Sequence, residues 1–492
     1  MDNEAKNNID SATQTPKRYD FNTLLEELLK VVSLPEELIK VVLAVALSIK
    51  LELNPPIWLM LVGVPSSAKT DIVSVLRKLD FIYFIDSFTM NPFASGYKPA
   101  KGKTYDLLPE LDGKCFVCKD YTTIFSLNEE TTKKLLGELV SIYDGDFAKF
   151  SPTRGYQTYK SSFSHLGCIT PAALNRHQKF MNIVGPRFLF YRIPNLDEQR
   201  KEKGFLIAWN GSDRKQVIAD LADRVKEFFD ELLKSEPTNF EINDINVRNS
   251  LEKFSLLMAR SRGIVIIRNN SFNNEDGKQI SYYEIIDRQI EEPWRALQQL
   301  KNLAISLAVL DGRSSVTDKD LDILKYIVLS SMPAERAEVL EYFVINSDIT
   351  SKQLSYLINK SIRTCQRLLK ELEGLDIISS TISGETAGKS YELNGDFETI
   401  KSNSIDVSTT PSESLTQLLP AKLVSAYTND EVLGVLQLLK DYLIDTPISK
   451  EEKDKYLALA SEIEEEGKKR GLIGQQELPI EDQLFIENNL PE

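Results

Sequence analysis

Residues 63–70 read Gly63-Val64-Pro65-Ser66-Ser67-Ala68-Lys69-Thr70. Lysine and threonine adjoin at the end of this octapeptide, behind small residues that let the backbone turn tightly. In a loop of the form G-x-x-x-x-G-K-[ST], successive N–H groups and a helix N-terminus converge on phosphate oxygens. The lysine reaches the β and γ phosphates, and the hydroxyl ligates Mg²⁺. Ala68 stands where the second glycine is usual; it is the smallest departure available, but it disfavours a positive φ. An apolar run at 57–62 precedes the loop and the helical text DIVSVLRKL follows it. Strand, loop, Lys-Thr and helix thus occur in the required order, which a chance Pro-Ser-Ser turn does not explain. Gly63, Ser66, Ser67, Ala68, Lys69 and Thr70 are the expected contacts of ATP.

Hydrolysis also needs a carboxylate at the end of a neighbouring strand, to hold Mg²⁺ or to polarise the attacking water. The apolar run at 115–118 leads into Lys119-Asp120. Asp120 is therefore the candidate for metal and water, with Thr70 as its partner on the metal; a strand-end ion pair is the alternative. Cys115 and Cys118 imitate a redox motif only as text. In a strand, side chains three apart point to opposite faces, which favours core packing.

These residues need a scaffold, and the hydropathy pattern supplies one. Short apolar runs at 57–62, 81–85, 115–118, 165–169 and 187–193 alternate with helical text, so 56–195 is expected to be an α/β domain with a mostly parallel sheet. Residues 1–19 read as a disordered leader and 20–55 as a helical lead-in. A helical lid is expected over 196–334, with apolar stripes at 215–233, 247–262, 295–310 and 319–329. Residues 335–395 follow the order of a winged helix-turn-helix: three short helices, a strand at 377–382, a turn, and a strand ending at Leu393. A Ser/Thr-rich linker at 396–420 leads to an acidic helical tail at 421–492 with amphipathic stretches at 429–443 and 451–469.

The order of motifs resembles the AAA+ superfamily of P-loop ATPases, and within it the minichromosome maintenance (MCM) helicases and MCM-like helicases of phages and mobile elements. Three segments carry the resemblance beyond the phosphate loop. Cys168-Ile169-Thr170-Pro171-Ala172 lies where the family has sensor 1, with Thr170 in place of its usual Asn. Gly185-Pro186-Arg187-Phe188-Leu189-Phe190 is similar to the segment bearing the trans-acting arginine finger, which implies that role for Arg187. The text from Arg295 to Ala304, followed by Val316-Thr317-Asp318, resembles the lid that starts at the sensor 2 arginine, which implies that role for Arg295. The resemblance implies a ring, a hexamer in this family, with each active site shared between subunits. It also implies an ATP-dependent DNA helicase or translocase in the replication of a mobile element or virus. The alternatives are a DNA-binding AAA+ switch or loader that hydrolyses ATP without unwinding, and a scaffold with residual nucleotide binding.

Three segments are candidates for DNA contact. Residues 143–163 interleave Lys149, Arg154 and Lys160 with Phe147, Phe150, Tyr156 and Tyr159, where MCM-like proteins project a hairpin into the ring channel. Cations track phosphates and aromatics stack on bases. Residues 91–103 carry Lys98, Lys101 and Lys103 with no acid among them. In the winged helix, 361–369 reads as the recognition helix and offers Arg363, Gln366 and Arg367. The span 346–394 holds 6 basic and 6 acidic residues, so a protein contact has nearly equal standing with DNA there.

Composition frames these readings. The 492 residues carry 59 Lys+Arg and 73 Asp+Glu, a net charge of −14, which argues against nucleic-acid binding by bulk charge. From 395 onward there are 20 acidic and 9 basic residues, so the tail holds −11 and the body only −3. A near-neutral body can hold local basic loops. Four cysteines and two histidines argue against a structural zinc site and fit a reducing cytoplasm. The apolar stretch 38–53 is broken by Lys40 and Lys50 and is too short to span a bilayer, and the N-terminal text lacks a signal peptide's basic and apolar regions.

Overall fold

The computed structural model describes residues 20–87, 91–96, 106–125, 127–176, 185–195, 198–209, 213–234, 240, 242–273, 279–345, 349–382, 389–400, 436, 439 and 450–470. The expected leader, Lys98, Lys101 and Lys103, the turn at 383–388 and most of the linker lie outside these residues. The chain divides into two compact units, Met1–Ile264 with Gln289–Ala337, and Val265–Arg288 with Glu338–Glu492.

The first unit is built on five strands: β1 (Trp58–Val62), β2 (Ile82–Ile85), β3 (Cys115–Cys118), β6 (Ser164–Ile169) and β7 (Phe188–Arg192). They form one sheet in the order β2-β3-β6-β1-β7, and every pairing is parallel. β1, β3 and β6 are buried along their whole length, as doubly covered strands are, while the edge strand β2 is only half-buried. One face carries Trp58, Met60, Phe116, Cys118 and Ile169, which pack with Phe125, Leu135, Leu139 and Ile142. These come from the helices α5 (Thr122–Phe125) and α6 (Glu129–Tyr143), which follow α4 (Leu108–Leu111). The other face is covered by α2 (Glu36–Ser48) against β6 and by α12 (Asp318–Ser330) against β7. Cys118 lies on the first face and Cys115 does not, and burial pushes both thiols up to about 12. They are packing residues, without the thiolate character that redox work requires.

The remaining helices of this unit are α1 (Phe21–Val31), α3 (Lys69–Ser74), α7 (Pro171–Arg176), α8 (Glu198–Trp209), α9 (Arg214–Leu232), α10 (Ile245–Ser261) and α11 (Trp294–Leu310). Side-chain caps start several of them. Asp20 accepts from the Thr23 amide and Asn128 from the Thr131 amide, each at 2.8 Å, and such caps contribute about 1 kcal/mol apiece. Between α6 and β6 a hairpin of β4 (Asp146–Ser151) and β5 (Gly155–Lys160) stands apart from the main sheet.

The lid expected to be helical throughout is not so. Residues 264–289 form the long strands β8 (Ile264–Asn273) and β9 (Gln279–Gln289). The β-branched run Ile264-Val265-Ile266-Ile267 and the pairs Tyr282-Tyr283 and Ile285-Ile286 favour this hairpin. In the second unit Gly374 sits so close to it that a Cβ would fall 2.8 Å from Ile285 Cδ1.

The second unit continues with α13 (Ala334–Ile345, begun in the first unit), β10 (Ile349–Thr350), α14 (Ser351–Leu357), α15 (Ile362–Gly374), β11 (Ile378–Ile382) and β12 (Lys389–Leu393), with sheet order β10-β12-β11. Thr350 and Gln353 cap α14 reciprocally, and Ser361 caps α15 through the Thr364 amide at 3.1 Å. In the tail, α16 (Lys450–Lys469) coincides with the amphipathic stretch at 451–469. Among the described residues no helix is long and apolar enough to cross a membrane.

Candidate nucleotide site and hairpin surface

The loop 63–70 leaves the C-terminal end of the inner strand β1 and enters α3 at Lys69. Gly63 is pinned to the next strand by its amide, which donates to the Ile169 carbonyl at 3.1 Å. Ser66 (φ 63°) and Ala68 (φ 58°) both lie in the left-handed region. The loop thus keeps the curl of a phosphate cradle although Ala68 has a Cβ, at a cost of about 1–2 kcal/mol. A Cβ on Gly63 would fall 2.7 Å from Ser67 Oγ and 2.9 Å from Ile193 Cδ1, so both side chains would have to move to admit one. Lys69 folds back over the loop, and its ammonium donates to the carbonyls of Gly63 (2.6 Å) and Val64 (2.8 Å) and to Ser67 Oγ (3.1 Å). Burial lowers its proton affinity, and the nearby Asp120 charge opposes that shift.

Thr170 follows β6, the neighbour of β1, and Asp120 follows β3, one strand further from β1. Asp120 Oδ1 accepts from the Thr122 amide (2.9 Å) and hydroxyl (2.6 Å), which orients the carboxylate at the head of α5. Lys119 turns to Asp86, the residue after β2, at 2.9 Å. Thr170 follows Ile169, which pairs with Val62, and its Oγ accepts from the Ala173 amide at 3.3 Å. Lys69, Thr70, Asp120 and Thr170 therefore share the C-terminal edge of the sheet, where open parallel sheets bind ligands.

A cavity of about 640 Å³ opens beside the loop, lined by Ser66 to Asp71, by Lys30, Val31 and Ser33, and by Gly204, Ile207, Ala208, Arg214 and Val217 of α8 and α9. Its volume falls within the range of small-ligand sites. Arg214 donates to Asp71 in α3 (Nε to Oδ2, 3.0 Å), and Ser33 donates to the Arg200 carbonyl (2.7 Å). Sequence reasoning missed Arg214 and the α1–α2 connection as cavity walls; the 143 positions between Asp71 and Arg214 leave no local signal.

Arg187 and Arg295 lie elsewhere. Phe188 pairs with Trp58 at the start of β1, whereas the phosphate loop follows Val62 at its end. Arg187 is thus separated from its own loop by the length of a five-residue strand, about 16 Å at ~3.3 Å per residue. Its Nε donates to the Val140 carbonyl (3.2 Å), and its guanidinium lies 3.5 Å from Asp144. Burial and then the charge of nearby Arg295 depress its proton affinity. Arg295 lines a second cavity, of about 480 Å³, with Tyr143, Asp144 and Glu291. The Glu291 carboxyl is raised by burial against the pull of Arg262, Arg295 and Arg187.

The β4–β5 hairpin assigns its side chains differently from the expectation. Lys149 donates to Glu138 (3.0 Å) and the Ala94 carbonyl (2.8 Å). Arg154 Nη1 donates to both Asp106 oxygens (2.8 and 2.9 Å) and to the Ser95 carbonyl (2.7 Å), while Tyr159 donates to Asp106 at 2.7 Å. Burial alone would raise the Asp106 carboxyl, but hydrogen bonds from Ser95, Tyr159 and Arg154 outweigh it and hold it low. Both cations therefore brace the hairpin, whereas Lys160 is exposed. Phe150 and Tyr156 are cross-strand partners, 72% and 71% exposed, and form an open aromatic pair near the tip. On α15, Arg363 and Gln366 are exposed while Arg367 is paired with Glu371.

The chain matches no model of a known protein family and no curated protein.

Proposed function

We propose that the protein is an AAA+ ATPase of the MCM-like type that works on DNA as a ring of identical subunits. The observation that carries this reading is the curled 63–70 loop at the C-terminal end of the inner strand, on the same edge of the sheet as Asp120. The sheet order β2-β3-β6-β1-β7, with the loop after β1 and Asp120 after β3, also supports it. On nucleotide binding, Lys69 exchanges its loop carbonyls for phosphate oxygens. Thr70 and Asp120 would hold Mg²⁺, which supplies positive charge against the phosphates. Asp120, oriented by Thr122, and the Thr170 hydroxyl bracket the position of an attacking water. Arg187, a strand's length from its own loop, and Arg295 act on the neighbouring subunit's nucleotide and stabilise charge that develops on the transferring phosphoryl group.

DNA passes along the β4–β5 hairpin. Phe150 and Tyr156 stack on bases and Lys160 meets phosphate, while Lys149 and Arg154 keep the hairpin rigid. The second unit, read as a winged helix, adds a duplex or protein contact through Arg363 and Gln366. The pairing of Lys119 with Asp86, where two adjacent carboxylates are usual, favours a second reading: a loader or switch of slower turnover that changes assembly state without unwinding. ATPase and strand-displacement assays on forked DNA, with wild type and Lys69→Ala, test the proposal. DNA-stimulated hydrolysis with displacement, both lost in Lys69→Ala, is expected. Hydrolysis without displacement would select the switch, and turnover unchanged by Lys69→Ala would sink both.

A further inference from the structure

Strand β7 ends the five-stranded sheet and, among the described residues, pairs with β1 alone, so its outward polar groups need partners from elsewhere. The helices that follow supply them. The amides of Phe190 and Arg192 donate to the hydroxyls of Ser331 and Ser330 at the end of α12 (3.0 and 3.2 Å). The backbone around Arg187 is held more closely. Arg262, directly after α10, donates from Nη1 to the Pro186 carbonyl (3.5 Å) and from Nη2 to the Phe188 carbonyl (2.9 Å). Gln299 of α11, fully buried, donates from Nε2 to the Arg187 carbonyl between them (2.8 Å) and to the Tyr143 hydroxyl (3.0 Å). Three successive carbonyls are thus taken by side chains 74–112 positions later in the chain.

A guanidinium is a rigid planar fork that reaches two carbonyls at once, which an ammonium, a point donor, does not. The Arg262 side chain is 11% exposed, and Glu291, 3.7 Å away, balances its charge. Burying that charge carries a desolvation penalty that an apolar side chain in the same space would avoid. What the charge adds is a fixed path for the backbone at 186–188. We propose that Arg262 and Gln299 are positioning residues for Arg187, fixing the backbone from which its guanidinium reaches the neighbouring subunit's nucleotide. The proposal rests on reading Arg187 as a trans-acting arginine. Neither side chain lines the cavity beside the phosphate loop of its own chain, so each acts through Arg187 and leaves that loop intact.

The test uses the full chain and two variants. Arg262→Lys keeps the charge but loses the fork; Gln299→Met keeps the length but loses the donor. Each is expected to retain its melting temperature, its binding of the slowly hydrolysed analogue ATPγS and its KM for ATP. The kcat is expected to fall roughly 10–100-fold, the loss that a displacement of about 1 Å produces. Mixing separates positioning from a general structural defect. Co-assembled with Lys69→Ala, which supplies a sound Arg187, either variant should regain about a quarter of wild-type turnover per site, because its own loop is intact. Co-assembled with Arg187→Ala it should gain nothing beyond its residual turnover, since no chain in that ring presents an aligned arginine. Either variant that folds decides the matter. Unchanged kcat, no recovery with Lys69→Ala, or recovery with Arg187→Ala overturns the proposal. Loss of both melting temperature and ATPγS binding in the two variants overturns it as well, because they would then be packing residues. The control mixture of Lys69→Ala with Arg187→Ala tells the failures apart. If it recovers while the Arg262 and Gln299 variants do not, the positioning role falls and the trans reading stands. If it stays silent while subunits exchange, both fall.

Discussion

If Arg187 serves the neighbour's nucleotide, two inactive variants must restore each other. Lys69→Ala leaves a subunit that cannot hold the γ phosphate but still presents Arg187; Arg187→Ala leaves an intact loop without its distant cation. Loss of an arginine of this kind costs roughly 10³–10⁵ in turnover, so each variant alone is expected to be silent. In rings assembled at random from equal amounts, a working interface needs an intact loop on one side and an intact arginine on the other. That combination arises at about one interface in four, because each side is drawn independently in a head-to-tail ring. The mixture should therefore reach about a quarter of wild-type turnover per site if interfaces act independently. The assay is steady-state phosphate release after co-assembly, with exchange verified by fluorescence transfer between labelled variants. Exchanging rings that remain silent would refute the trans assignment. Arg187 would then be a structural residue held by Val140 and Asp144.

Further outcomes follow from the geometry. Ala68→Gly removes a left-handed alanine and should raise the melting temperature by about 1–3 °C with ATP turnover retained, whereas Gly63→Ala, whose Cβ collides with Ser67 and Ile193, should abolish nucleotide binding in a fluorescent-nucleotide titration. His165 is fully buried, its Nδ1 facing the Phe116 carbonyl at 2.8 Å and its Nε2 the Tyr121 hydroxyl at 2.5 Å, and burial holds its pKa at about 3. The unfolded chain takes up this proton below about pH 6.5 and the folded chain does not, so stability falls by about 1.4 kcal/mol per unit as pH drops, roughly 2 kcal/mol between pH 6.5 and 5. Urea unfolding at pH 5 and 7 should show this slope in wild type and lose it in His165→Gln. Replacing Phe150 and Tyr156 with Ala should weaken single-strand DNA binding by about 1–3 kcal/mol per stacked base without altering the salt slope. Lys149→Ala should lower thermal stability and leave DNA affinity intact, and a reduced salt slope in that variant would contradict the bracing role.

Much of the scaffold was legible from local text. The strands read at 57–62, 81–85, 115–118, 165–169 and 187–193 appear at Trp58–Val62, Ile82–Ile85, Cys115–Cys118, Ser164–Ile169 and Phe188–Arg192. A strand covered on both faces is a short, mostly apolar run, as WLMLV and CFVC are, and few other segments have that form. The β8–β9 hairpin was not read, although its isoleucines and tyrosines signal strands, because it interrupts a region whose flanking helices dominate the period. The roles of Lys149 and Arg154 were illegible for a different reason. Their partners Glu138 and Asp106 are 11 and 48 positions away, and only folding shows that these cations are already committed.

The sequence by itself placed a loop with adjoining lysine and threonine between a strand and a helix, because all three are written within a few consecutive residues, whereas its left-handed turns at Ser66 and Ala68 came from the structure. The sequence also determined the parallel sheet that carries the loop. Tertiary structure alone decided which residues share that edge of the sheet, and that Arg214 closes on Asp71. It placed Arg187 at the far end of β1, and it left Phe150, Tyr156, Phe205 and Trp209 uncovered. Strand register and side-chain burial depend on residues far apart along the chain, and no local pattern encodes which of them meet.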